Sequence, residues 1–229
     1  LVVDRTALVT VDVVGLHEEL CARVRAAVQR WVDHAVIHAT HTHSGPASMP
    51  GRLGPGVDEE WLAHVESSCV EAVRRAAASR EPATVTAGYG EDPDVGRNRR
   101  RPDGPVDRAL PVIRIDRPDG TALALMVSYA CHPVVLSAQN TLLSADYPGV
   151  TRRHLEASTG ATALFATSCA GDINTGHALD GRSDDPRCRT FARCEDIGRR
   201  IAKAALQGTQ IHAPQIIDAA QETLRVPLE

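Results

Sequence analysis

The sequence predicts an α/β domain in which a mixed β-sheet is covered by helices. Three observations carry that expectation: β-branched runs alternate with helical periods along the chain, a complete β–α–β unit fits within residues 6–40, and the residues richest in chemistry follow directly after strands.

The elements follow in order. Residues 6–14, TALVTVDVV, are a β-branched run; residues 17–32 have an amphipathic helical period; residues 35–40, AVIHAT, form a short buried strand. After the Gly/Pro-rich loop SGPASMPGRLGPG, Asp58 is placed to cap a long helix reaching about residue 79, and ATVTAGYG is the next strand. Residues 91–109 are polar and rich in Pro and Gly, so they are expected to form a long irregular loop, a type that in a compact domain usually serves function. A hairpin follows, LPVIRID and TALALMVSYA, with Pro and Gly in RPDG supplying the turn. A helix near 147–158, the strand ATALFAT, a loop, a helix from about 188 to 206 and a strand near 214–226 complete the expectation.

Composition narrows the function classes. A hydrophobic content of 43% supports a buried core, and a net charge of −4 with interspersed acids and bases offers no footprint for nucleic acid or an anionic membrane, RNRRRP being the local exception. No apolar run approaches the roughly 18 residues of a spanning helix. The chain opens on Leu1 without the layout of a cleavable signal, and it is expected to be a fragment, a single domain over residues 1–229. Its Ala- and Arg-rich bias fits high-GC bacterial coding, and a soluble protein of the cytoplasm or the cell exterior is expected. Six cysteines occur without a C-x-x-C pair, so free thiols are expected; a Cys188–Cys194 bridge is disfavoured because a spacing of six on one helix points the side chains apart. G-x-S-x-G and the glycine motifs of nucleotide binding are absent.

Three segments follow three strands: HTHSGP after AVIHAT, CHPVVLS after the second hairpin strand, and SCAGDINTG after ATALFAT. Ligands of open α/β sheets bind outside the carboxyl ends of strands, so these loops are expected to meet at one rim. Alternate side chains of an extended segment share a face, which puts His41 and His43 together and turns His38 toward the core or a hydrogen bond. His132, fixed by Pro133, supplies an imidazole from a second loop. Such a cluster suits a metal and a neighbouring proton carrier.

These motifs, ATHTHSGP, NRR, CHP and CAGDIN in their chain positions, resemble the neutral/alkaline non-lysosomal ceramidases, zinc-dependent amidases, over roughly residues 6–206. The resemblance implies that His41 and His132 ligate Zn2+, that His43 is the catalytic histidine beside the metal, and that Arg99 approaches a reacting or substrate oxygen, with Arg97, Arg100 and Arg101 as neighbours in the alignment. It also implies a glutamate and a tyrosine ligand from sequence beyond Glu229. Asp172 and Asn174 of GDIN enter the expected catalytic set; Asn174 stands where the family carries a serine, and an amide cannot act as a hydroxyl nucleophile. Asp146 and Asp172 are strand-end carboxylates that could replace ligands or orient the histidines.

The expected function is therefore zinc-dependent hydrolysis of an N-acyl bond in a ceramide-like or other small-molecule or lipid amide by metal-activated water. Two alternatives stay open: a metal-dependent ester or phosphoester hydrolase with a dinuclear centre, and an incomplete domain that binds ligand or metal without turnover.

Overall fold

The structure is a computed structural model that describes residues 1–53, 56–176 and 189–212. The α/β class is the one found. The first β–α–β unit consists of β1 (Val2–Val3), β2 (Thr6–Val11), α1 (Glu18–Val28) and β3 (His34–Ala39), with β2 and β3 parallel and Thr10 opposite His38. Strand β2 ends three residues earlier than its β-branched run suggests, because the carbonyls of Val13 and Val14 turn to hold the loop after β3. Helix α1 starts under His17, whose Nδ1 accepts from the Glu19 N–H at 3.3 Å. Asp58 caps α2 (Glu59–Ala78) as expected, accepting from the Trp61 N–H at 3.0 Å.

The middle of the chain forms β4 (Thr84–Tyr89), the two-residue β5 (Arg97–Asn98), β6 (Pro111–Asp116) and β7 (Ala122–Tyr129). The β6–β7 hairpin closes at Gly120, where φ is +82° and a side chain would be strained. Then come α3 (Asp146–Thr159), β8 (Thr162–Thr167), β9 (Ile173–Asn174), α4 (Phe191–Leu206) and β10 (Thr209–His212). The strand expected near 214–226, and Cys188, lie outside the described residues; Cys194 is a buried free thiol.

The single mixed sheet of the sequence reading is divided. A five-stranded sheet, β10-β4-β6-β7-β8, is antiparallel except for the β7–β8 pair, and a separate sheet runs β1-β2-β3. Side chains rather than a backbone ladder join the two. His38 Nε2 lies 3.0 Å from both Thr10 Oγ1 and the Phe165 carbonyl, and Thr167 Oγ1 donates to the Thr40 carbonyl at 2.5 Å. A carbonyl only accepts, so Nε2 carries the ring hydrogen. His38 is thus a seam residue, as its place inside the strand suggested.

Each sheet has its own core. Val9, Val24, Val28, Leu62, Val65 and Val73 pack α1 and α2 against the smaller sheet. Tyr129, Tyr147, Phe165, Ile197 and Ile201 pack α3 and α4 against the larger one, with Tyr147 and Phe165 edge to face at 5.7 Å. Full burial of one such aliphatic side chain is worth about 1.5–3 kcal/mol. Helices α3 and α4 approach closely at Gly198, where a Cβ would fall 2.5 Å from Val150.

Candidate metal centre

The carboxyl ends of β3, β7 and β8 each release a loop, and backbone hydrogen bonds tie the loops together. The His132 N–H donates to the Ile173 carbonyl at 2.8 Å, the Arg99 N–H donates to the Asp172 carbonyl at 2.8 Å, and β5 pairs with β9 with Arg97 opposite Asn174. The HTH loop is held by its threonines. Thr40 and Thr42 are buried; Thr40 Oγ1 donates to Asp12 Oδ1 at 3.1 Å, and Thr42 Oγ1 donates to the Ser144 carbonyl at 2.7 Å. Alternation therefore leaves His41 and His43 on the open side, although β3 has already ended and His41 has φ +67°. A left-handed conformation costs a non-glycine residue about 1–2 kcal/mol; the His41 N–H bond to the Val13 carbonyl at 3.0 Å and the Nδ1 contact with the Val14 carbonyl at 2.5 Å hold it there.

His41, His43 and His132 converge, each offering a ring nitrogen within 4.8 Å of the others. The ring centroids of His41 and His132 are 4.7 Å apart, those of His41 and His43 4.9 Å, and those of His43 and His132 5.9 Å. His132 is 8% exposed, and its Nδ1 lies 2.6 Å from the Ala170 carbonyl. Val14 and Ala170 offer only carbonyl acceptors, so both Nδ1 atoms carry hydrogen and, in the neutral rings, both Nε2 atoms present lone pairs. Those two Nε2 atoms face each other at 3.0 Å. Two lone pairs at that distance repel unless a cation lies between them. On a tetrahedral zinc with nitrogens at 2.0–2.1 Å, two ligand nitrogens are about 3.3 Å apart, so this donor set fits the ion.

Desolvation, with the Arg99 charge beside it, lowers the pKa of two of the three histidines, His43 and His132. His43 is exposed at the rim, yet desolvation by the packed groups beneath it pushes its pKa down to about 4, with His41, His132 and Arg99 adding to the shift. Burial also holds His132 below the ordinary histidine value; the Ala170 carbonyl opposes this and Arg99 reinforces it. Of the four arginines in the run, Arg99 is thus the one whose charge bears on the histidines. Its Nη2 donates to the Gly171 carbonyl at 2.5 Å, and its buried Nε has no hydrogen-bond partner among the described residues.

The remaining expected residues are placed differently. Asp172 is exposed and its carboxylate pairs with Arg100, while its backbone carbonyl anchors Arg99. Asn174 is buried, and its Oδ1 accepts from the Gly176 N–H at 2.8 Å, bracing the turn after β9. Asp146 does not orient the histidines: its Oδ2 accepts from the Leu136 N–H at 3.0 Å and its Oδ1 from the Tyr147 N–H at 2.7 Å, so it braces the chain that follows His132. The orienting partners are the carbonyls of Val14 and Ala170, which carry no side-chain signal in sequence. Thr40 and Thr42 carry one, in the alternation of THTH, and Asp12 is the carboxylate that Thr40 leads to.

The sequence matches the family described as neutral/alkaline non-lysosomal ceramidase, N-terminal, over residues 2–225. It is 26% identical over 213 residues to the neutral ceramidase of Pseudomonas aeruginosa, covering 83% of this chain and 32% of that protein. With the neutral ceramidase of Mycobacterium tuberculosis it shares 29% identity over 218 residues, covering 79% and 34% of the two chains. The fold superimposes on the crystal structure of the Pseudomonas aeruginosa neutral ceramidase with a TM-score of 0.77 at 22% identity, covering 90% of this chain and 38% of that one. The chain thus spans about a third of the length of these curated relatives.

Proposed function

Because this chain belongs to the neutral/alkaline non-lysosomal ceramidase family, we propose that it contributes the two-histidine part of a zinc site to a hydrolase that cleaves N-acyl amide bonds. In this reading residues 1–229 form one α/β domain, the N-terminal part of a longer catalytic domain. The observation that carries it is the 3.0 Å approach of the His41 and His132 Nε2 atoms, each with its Nδ1 hydrogen committed to a carbonyl. The two relatives named above are neutral ceramidases, which supports a ceramide-like or other amide substrate.

His41 and His132 would hold the ion. When bound, zinc would lower the pKa of a coordinated water and polarise the scissile carbonyl. His43, whose pKa desolvation beside the cluster and the Arg99 charge push down to about 4 while its ring stays open to solvent, is suited to accept a proton or a hydrogen bond at its free nitrogen. Arg99 keeps a full positive charge beside the histidines and is suited to a developing oxyanion. Asn174 would brace the turn that carries the GDIN segment, and Asp172 would keep Arg100 and Arg99 in register through its carboxylate and carbonyl. No helix among the described residues is long and apolar enough to cross a membrane.

The experiment is metal analysis by plasma mass spectrometry on metal-free protein reloaded with zinc, combined with hydrolysis of N-acyl substrates. About one zinc per chain, absent in His41→Ala and His132→Ala, together with amide cleavage that needs the metal, is the expected result. Zinc retained in both variants would overturn the assignment.

A further inference from the structure

The segment between His132 and Asp146 carries a surface that the amide-cleaving reading leaves unused. No residue from 133 to 145, PVVLSAQNTLLSA, is charged. Its first part faces inward, with Val135 and Leu136 buried in the larger core. Its second part turns outward: Leu142 is 62% exposed and Leu143 76%, the two highest values for large apolar side chains among the described residues. Single exposed leucines are ordinary, but an adjacent pair on an uncharged loop marks a contact with an apolar partner.

The loop is prepared for a medium without water. The Asn140 side chain closes it from within: Nδ2 donates to the Leu142 carbonyl at 2.7 Å, and Oδ1 accepts from the Leu142 N–H at 3.2 Å. Both backbone groups of Leu142 are therefore satisfied without solvent, a condition for backbone that is to leave water. The loop is also fastened to the histidine loop. The Ser144 N–H donates to the Ser44 carbonyl at 2.9 Å, Asn140 Nδ2 to Ser44 Oγ at 3.2 Å, and Thr42 Oγ1 to the Ser144 carbonyl at 2.7 Å. Thr42 and Ser44 flank His43, so the two leucines stand at the rim of the candidate metal centre. A protein partner would bring a polar rim, for which residues 133–145 hold no ionic counterpart, whereas an acyl layer needs none.

From this juxtaposition we infer that Leu142 and Leu143 form a docking loop that enters the acyl region of a lipid surface and brings that surface to the histidines. The chain's net charge of −4 gives an anionic surface no attraction, so the surface is one without net charge. The link from docking to chemistry rests on the proposed amide hydrolysis; the lipid contact itself does not.

Flotation with phosphatidylcholine vesicles, which carry no net charge, tests this on the whole chain. The chain is expected to float with the vesicles, equally at about 0.1 and 0.5 M salt, because leucine burial is not screened by ions. The double variant Leu142→Ser, Leu143→Ser is expected to partition about tenfold or more weakly. Its Tm should match the parent's, since both side chains are exposed. The double variant Leu142→Phe, Leu143→Phe is expected to keep the binding and decides the matter should the serine variant unfold. No flotation of the parent, equal flotation of parent and folded serine variant, or loss of binding in the phenylalanine variant would overturn the inference. So would binding that requires anionic lipid or vanishes at the higher salt, and so would self-association through the pair, seen by light scattering, without vesicle binding. Cleavage of soluble N-octanoylglycinamide by the parent is scored separately. Vesicle binding without cleavage would sink the amidase reading and leave the docking loop standing; cleavage without vesicle binding would do the reverse.

Discussion

His41 and His132 meet Nε2 to Nε2 at 3.0 Å across 91 residues of sequence, each ring fixed from behind by a carbonyl, Val14 for one and Ala170 for the other. A pair prepared in this way presents two lone pairs to one point and leaves neither ring free to turn aside.

The first prediction concerns the metal. Zinc held at a hundred times its Kd should stabilise the folded chain by about 2.7 kcal/mol, seen as a rise in Tm. His41→Ala and His132→Ala should each remove that rise. A thermal scan in which either variant still responds to zinc as the parent does would place the ion elsewhere.

Arg99 separates binding from chemistry. Arg99→Lys keeps the charge but loses the fork that reaches the Gly171 carbonyl. Zinc content should be unchanged, while kcat/KM for an N-acyl substrate should fall by about 10²-fold, the scale of one oxyanion donor. Steady-state kinetics with parallel metal analysis checks this; an unchanged kcat/KM would remove Arg99 from the reacting centre.

Asp12 tests how the histidine loop is held. Its Oδ1 accepts from Thr40 and its Oδ2 pairs with Arg152 at 2.5 Å, linking β2, the HTH loop and α3. Asp12→Ala should cost about 1–2 kcal/mol, a figure reduced for the partial exposure of the pair. It should also weaken zinc binding by about tenfold through a loosened loop. Competition against a chromophoric chelator would measure the second effect, and an unaltered zinc Kd would show that the loop is held without Asp12.

His38 sets a pH dependence away from the site. Burial lowers its folded pKa from the ordinary 6.5, with the Phe165 carbonyl and Asp12 opposing. As pH falls the unfolded chain takes this proton first. The contribution of the neutral seam histidine is therefore complete above about pH 6.5 and is lost as pH drops through that value toward the lowered folded pKa. His38→Gln should flatten the fall in denaturation midpoint between pH 7 and 5 relative to the parent. Identical slopes in urea titrations at those two pH values would refute the assignment.

Much of the site was legible in sequence because its chemistry lies in short motifs after strands. The motifs single out His41, His43 and His132, and alternation in THTH implies both the shared face of the histidines and the inward threonines. Arg99 was placed by resemblance, within a run of arginines that look alike in sequence. The carboxylates misled: Asp146 has the residue type of an orienting partner, yet its oxygens serve the Leu136 and Tyr147 N–H groups. Backbone carbonyls took the orienting role, and a carbonyl has no residue identity to find.

The sequence by itself determined the α/β class, the helix capped by Asp58, the parallel β–α–β start and the histidine trio, because periodicity, capping chemistry and motif spacing are local properties. Tertiary structure alone decided that the strands split into three sheets, the two larger sewn by His38, that Val13 and Val14 leave the strand to hold His41, and which arginines face a common groove. Those outcomes depend on which distant backbone groups need hydrogen-bond partners once the cores close, and only the folded chain brings those groups together.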